Sequence, residues 1–196
     1  MFTGIIENTG RVDELIQKNG NITFWIASSL SQELSIDQSL SHDGVCLTVE
    51  EIRDGMHRVT AIEETLSKTN LGHWQNGATI NLERCMELNG RLDGHIVQGH
   101  VDCVAECIGI AEKEGSSEYR FSFPLTYSNL VIEKGSITLN GISLTVFNVD
   151  SYSFTVAIIP YTCQHTNMRS LKKGGEVNIE FDMIGKYVDR IMRKKN

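Results

Sequence analysis

Short runs in which apolar and polar residues alternate dominate the chain. Ile142-Ser143-Leu144-Thr145-Val146 puts Ile142, Leu144 and Val146 on one face of a strand and Ser143 and Thr145 on the other. Asn140-Gly141, just ahead, tolerates the positive φ of a tight turn. The same turn and alternation occur earlier, in Asp43-Gly44-Val45-Cys46-Leu47-Thr48-Val49, with Cys46 in the place of Ser143 and Thr48 in that of Thr145. Further strands are predicted over Phe2 to Val12, Ile22 to Ala27, Arg58 to Ile62 and Ala78 to Glu83, with Asp54-Gly55 marking a hairpin. Ser28 to Leu34 reads as a short helix with serine at its start, and Thr65 to Leu71 as a loop or short helix. Later strands are predicted over Gly94 to Cys107, Tyr119 to Phe123, Phe154 to Ile159 and Glu176 to Phe181, with a short helix over Thr126 to Glu133.

The two halves align. Gly44 and Gly141 are separated by 141 − 44 = 97 positions, and the same offset pairs Thr48 with Thr145, Asn70 with Asn167, Asn81 with Asn178 and Glu83 with Glu180. Near the start the offset drops by two, and Gly4-Ile5-Ile6-Glu7 meets Gly99-His100-Val101-Asp102. Separated blocks in one register indicate a duplicated domain of about ninety residues. The expected division is 1–93, 94–183 and a tail over 184–196. Short strands at roughly ten-residue spacing predict a small closed antiparallel barrel in each half, and hence an all-β protein. In the tail, Ile184, Val188 and Ile191 form one helical stripe with Tyr187 beside it, and Arg190, Arg193, Lys194 and Lys195 crowd its end. A helix of about three turns is marginal alone. Its stripe needs a partner, either its own barrel or the same helix in other subunits.

Composition narrows the function. The chain is 40% hydrophobic and 22% charged, as an ordinary globular protein is, and its net charge of −7 argues against nucleic acid as a partner. No apolar run approaches the ~20 residues of a membrane span. The opening Met1-Phe2-Thr3-Gly4-Ile5 lacks signal-peptide features. Five cysteines without regular spacing favour free thiols in a reducing, cytoplasmic setting. His95, His100, Cys103 and Cys107 hint at zinc, but a five-residue spacing on a strand puts the histidines on opposite faces, so no metal site is expected.

Met1-Phe2-Thr3-Gly4-Ile5-Ile6-Glu7, Asp43 to Val49, Gly94-His95-Ile96-Val97-Gln98-Gly99-His100-Val101-Asp102 and Asn140 to Val146 together resemble the riboflavin synthase family, alpha-chain type. The likeness spans essentially the whole chain, repeat included. It implies two six-stranded Greek-key barrels in tandem and a C-terminal helix that assembles a homotrimer. It also implies a reaction, in which two molecules of 6,7-dimethyl-8-ribityllumazine exchange a four-carbon unit to give riboflavin and 5-amino-6-ribitylaminouracil. No metal or organic cofactor is implied, the active site lies between subunits, and lumazine synthase is admitted as a partner. The repeat suits this chemistry, because donor and acceptor are one compound and need nearly the same pocket. A non-catalytic lumazine- or flavin-binding relative on the same fold is the second reading. Retention of both hydroxyl blocks together with His100 favours the enzyme.

Carried over by position, the resemblance implies a first pocket of Gly4, Ile5, Ile6, Cys46, Leu47, Thr48, Thr60, Ala61, Ile62, Glu63, Glu64 and Thr65, with Ser39 adjoining. The implied second pocket comprises Gly99, His100, Val101, Lys134, Ser143, Leu144, Thr145, Ile159, Pro160, Tyr161, Thr162, Cys163 and Gln164. His100 is the first candidate for proton transfer, since an imidazole can take and give a proton near neutral pH. Ser143 and Cys46, with Thr145 alongside, are expected to assist. Asp37 aligns with Lys134, so the pockets are expected to differ in charge.

Overall fold

The computed structural model describes residues 1–194. In the first half, strands β1 (Asn8–Lys18), β2 (Asn21–Ala27), β3 (Ser39–His42), β4 (Val45–Thr48), β5 (Glu51–Arg53), β6 (Met56–Ala61) and β7 (Thr79–Arg84) accompany helix α1 (Glu63–Lys68). In the second half, β8 (Cys103–Lys113), β9 (Ser116–Ser122), β10 (Ser136–Leu139), β11 (Ile142–Phe147), β12 (Ser153–Ile158) and β13 (Glu176–Phe181) accompany α2 (Pro160–His165). Helix α3 (Met183–Arg193) follows. Lys195, expected in the basic end of this helix, lies outside the described residues, as does Asn196.

The second half is a closed barrel in the order β10-β11-β12-β9-β8-β13. The first half has the order β4-β3-β7-β1-β2-β6-β5, and its two end strands are consecutive in the chain. Together β4 and β5 match the single strand β11, so the plan is the same with one strand interrupted at Val49-Glu50. There Glu50 N–H donates to Arg58 O at 2.9 Å, and Arg58 pairs with the carboxylates of Glu50 and Glu51 at 3.1 and 2.6 Å.

Alternation sorts the strands as expected. Val45 and Leu47 are buried in the first core, and Ile142 and Val146 in the second, while Thr48 and Thr145 point out. The first core also holds a polar chain. Ser31 Oγ lies 2.8 Å from His57 Nδ1, His57 Nε2 lies 2.9 Å from His42 Nε2, and His42 Nδ1 faces Leu40 O at 3.0 Å. With both rings neutral, every proton in this chain has an acceptor. Burial holds both histidines in that state, taking His57 down to about 4. The second barrel has Leu139 and Phe154 at the aligned positions, fully buried in an apolar core.

Two predicted strands begin later than expected. Phe2 to Glu7 and Gly94 to Asp102 are irregular, apart from a bridge between Phe2 and Val97. The Gly4 and Gly99 carbonyls of these segments accept hydrogen bonds from the opposite half, and both glycines are left-handed, so neither segment continues the strand that follows it.

The halves meet where their turns do. Gly44 and Gly141 pack back to back, so closely that a Cβ on Gly44 would fall 2.8 Å from Gly141 N. Around them lies a symmetric amide network. Asn81 N–H donates to Asp43 Oδ1 (2.7 Å) and Asn178 N–H to Asn140 Oδ1 (2.8 Å). Asn81 Nδ2 donates to Asn140 O (2.8 Å) and Asn178 Nδ2 to Asp43 O (2.9 Å). The exception to the symmetry is Asp43, which stands where its counterpart is an amide. Burial pushes its carboxyl up to about 8 against the pull of its hydrogen bonds to Asn81 and Asn167. Asn140 Nδ2 donates to Asn167 Oδ1 at 3.4 Å, whereas Asn70 Oδ1, the counterpart of Asn167 Oδ1, is buried without a partner.

Between its unfolded value near 4 and about 8, folded Asp43 keeps a proton that the unfolded chain releases. Stability therefore falls as pH rises through this window, by up to about 1.4 kcal/mol per pH unit. Asp43→Asn is expected to melt higher than the parent at pH 8 and to show a flatter dependence of melting temperature on pH between 5 and 8. An unchanged slope would show that Asp43 is already ionised.

Candidate active site

The irregular segments cross over. Gly4 O accepts from Ser143 N–H of the second barrel at 2.8 Å, and Gly99 O accepts from Cys46 N–H of the first barrel at 2.8 Å. Ile6 packs on the second core and Val101 on the first. This corrects the expected grouping. Gly4, Ile5 and Ile6 belong with Ser143, and Gly99, His100 and Val101 belong with Cys46. Sequence order suggests the reverse because nothing in the repeat marks an exchange of segments between its copies.

Two buried carboxylates fix the crossing. Glu83 accepts from Thr3 N–H (2.7 Å), Thr3 Oγ1 (2.7 Å) and Gly4 N–H (3.0 Å). Glu180 accepts from Gln98 N–H (2.7 Å), Gly99 N–H (2.9 Å) and His100 N–H (2.8 Å). Burial pushes both acids up; the Thr3 hydroxyl and backbone donors oppose this at Glu83, and backbone donors with Lys186 oppose it at Glu180. Only glycine suits the apex of each segment. Gly4 has φ +79° and Gly99 φ +82°, and an added Cβ would lie 2.6 Å from Ser143 Cβ or 2.7 Å from Cys46 Cβ.

The first pocket is a cleft of about 210 Å³ between β4, α1 and the crossing segment, with Cys46, Glu64, Thr65 and Lys68 facing Gly99, His100 and Val101. Burial pushes the Cys46 thiol up, so it is a thiol and hydrogen-bond donor rather than a thiolate at neutral pH. Ser39, on the neighbouring strand β3, opposes that shift. On the second barrel, Ser143 Oγ meets His95 Nδ1 at 2.7 Å, and His95 Nε2 meets Thr138 Oγ1 at 3.2 Å. Burial lowers the His95 pKa, with Asp182 opposing the shift. Within the chain, then, His95 rather than His100 partners Ser143. Tyr161 stacks on His165 at 4.1 Å, at the aligned positions of Glu64 and Lys68.

Other expected residues lie elsewhere. Ala61 and Leu47 are core residues, and Leu144 packs against the second core. The Thr60 hydroxyl pairs with Thr23 at 2.9 Å. Pro160, Cys163 and Gln164 border a separate hollow against Glu112 to Ser117. Ile62 and Ile159, at the starts of α1 and α2, are more than half exposed, while Glu63 and Thr162 continue those first turns. Asp37 and Lys134 occupy matching turns with φ +68° and +63°, each donating its N–H to the strand, at Val49 O and Val146 O. Among the described residues, no three His, Cys, Asp or Glu side chains are grouped as metal ligands would be. Glu83, Glu180, Asn81 and Asn178 are visible in the sequence only as repeat positions.

Fold and site together define a tandem-barrel protein in which each barrel is bonded by a segment leading into the other. The lumazine binding domain family matches residues 3–85 and again residues 98–182. The riboflavin synthase of Actinobacillus pleuropneumoniae is 41% identical over 197 residues, covering 100% of this chain and 91% of that protein. The riboflavin synthases of Bacillus subtilis (strain 168) and Mycobacterium tuberculosis (strain ATCC 25618 / H37Rv) are 37% and 39% identical, covering 100% and 98% of this chain and 92% and 98% of theirs. The crystal structure of LumP complexed with riboflavin has the same fold, with a TM-score of 0.87 at 20% identity over 92% of this chain and 99% of that one. The chain belongs to the riboflavin synthase family.

Gly99→Ala and Gly4→Ala are each expected to cost about 1–3 kcal/mol through backbone strain and displacement of the strand beneath. Calorimetric melting of the two variants checks this. Unchanged midpoints would mean that the segments are not clamped in the left-handed conformation.

Proposed function

We propose that the protein makes riboflavin from two molecules of 6,7-dimethyl-8-ribityllumazine, one in each kind of pocket, releasing 5-amino-6-ribitylaminouracil. The carrying observation is the pair of backbone crossings, alike in frame and different in reacting groups, with Cys46 and His100 in a cleft of the first barrel and Ser143 bonded to His95 on the second. Two like pockets suit a reaction whose donor and acceptor are one compound. The two substrates together contain every atom of the two products, so no external oxidant or cofactor is required. His100 takes the proton from the 7-methyl group of one lumazine. Backbone amides of the crossing segments and the hydroxyls of Thr48, Ser143 and Thr145 hold the rings and ribityl chains.

The reaction needs two lumazines face to face, and orientation of this kind can supply ~7–11 kcal/mol of the barrier. We assign the meeting to pockets of different subunits in a homotrimer. The apolar stripe of α3 supports this, since Ile184, Tyr187, Val188 and Ile191 are each more than half exposed rather than packed on their own barrel. Five free thiols support a cytoplasmic location. A lumazine synthase partner would supply the substrate.

Incubation with 6,7-dimethyl-8-ribityllumazine in EDTA, with no added cofactor, is expected to give riboflavin, followed by absorbance and fluorescence. Tight binding without conversion would move the protein to a carrier role. His100→Gln is expected to lower kcat by about 100-fold or more while riboflavin still binds. Full turnover in this variant would remove His100 from proton transfer.

A further inference from the structure

The two crossing segments are held by the same device, with one difference. Beyond the Glu83 and Glu180 clamps, a second carboxylate anchors each segment's end. Glu7 accepts the N–H of Arg84 at 2.7 Å, and Asp102 accepts the N–H of Phe181 at 2.9 Å. Arg84 and Phe181 are aligned positions of the repeat, as are Glu7 and Asp102. The cation that neutralises the carboxylate comes from different places. In the first barrel Arg84 closes its own guanidinium onto Glu7, at 2.8 and 2.7 Å. Phe181 has no charge to offer. In the second barrel Lys186, from helix α3, reaches Asp102 at 2.5 Å, with side-chain exposures of only 25% and 19% for the two residues.

The segment that depends on α3 is the one that carries His100. In the other segment the aligned residue is Ile5, which has no proton to move. We propose that Lys186 is a positioning residue, whose ion pair with Asp102 makes the placement of His100 in the first pocket conditional on the docking of α3. The contact is partly desolvated, so losing either partner leaves a charge poorly paired and releases the segment end two residues after His100. Helix α3 also presents the unpaired apolar stripe. Seating of that helix on its own barrel is thereby linked to the geometry around His100. The inference rests on the proposed reaction for its catalytic meaning, but not for the coupling itself.

The test uses the full chain with Lys186→Met, which keeps the apolar stem and removes the charge, and Lys186→Arg, which keeps the charge. In Lys186→Met, kcat is expected to fall about tenfold with a smaller change in KM, as sub-ångström misplacement of a reacting group allows. Lys186→Arg is expected to restore most of it. The ring signals of His100 in a histidine-selective 1H–15N spectrum are expected to shift in Lys186→Met and to stay in place in Arg84→Met, which cuts the other clamp. Unmoved His100 signals, shifted signals with unchanged kcat, or a rate loss matched by unfolding and not rescued by arginine would each overturn the proposal. If the parent protein makes no riboflavin, the functional reading fails on that result, and the His100 signals still judge the coupling.

Discussion

Two backbone hydrogen bonds organise the molecule, Ser143 N–H to Gly4 O and Cys46 N–H to Gly99 O. Each joins the strand of one barrel to a segment that leads into the other. Without this crossing, the halves would still meet at the Gly44 and Gly141 turns, but the cleft beside Cys46 would lack one wall. With it, that cleft takes Gly99, His100 and Val101 from the segment leading into the other half. The buried carboxylates of Glu83 and Glu180 hold the crossing segments, and each is paired almost wholly with backbone N–H groups. The cost of burying these acids is offset by donors that would otherwise be unpaired themselves.

On this symmetric frame a few substitutions do the differentiating. Asp43 stands at the junction of the halves where its counterpart is Asn140. His100 stands where Ile5 does, and His95 precedes the stretch that aligns with the first copy. Arg84 closes one clamp, while α3 closes the other through Lys186. A pair of identical pockets would hold two identical molecules without distinguishing them. On the proposed reaction, different side chains on a largely shared backbone would give the two molecules different surroundings in similar frames.

Much of this is legible in the sequence. Alternation places Cys46, Thr48, Ser143 and Thr145 off the core side, and the ninety-seven-residue register pairs turns, strands and short helices that the fold also pairs. The crossing is not legible, because a repeat reveals which residues are equivalent and not which copy they touch. Periodicity also extends β1 and β8 backwards through Gly4 and Gly99, whose left-handed conformation ends the ladder. In the sequence His95 stands beside His100 as a hint of zinc, and its bond to Ser143 depends on a segment with no regular structure. The partner of α3 is open in the sequence, since an apolar stripe does not say which way it turns.

The most direct test of the crossed architecture is a riboflavin titration of the intact protein, followed by backbone amide NMR. As each pocket fills, the amides of Cys46 to Thr48 should move together with those of Gly99 to Val101, and the amides of Ser143 to Thr145 with those of Gly4 to Ile6. If Gly4 to Ile6 instead respond with Cys46, and Gly99 to Val101 with Ser143, then each pocket belongs to one half alone and the halves do not exchange segments.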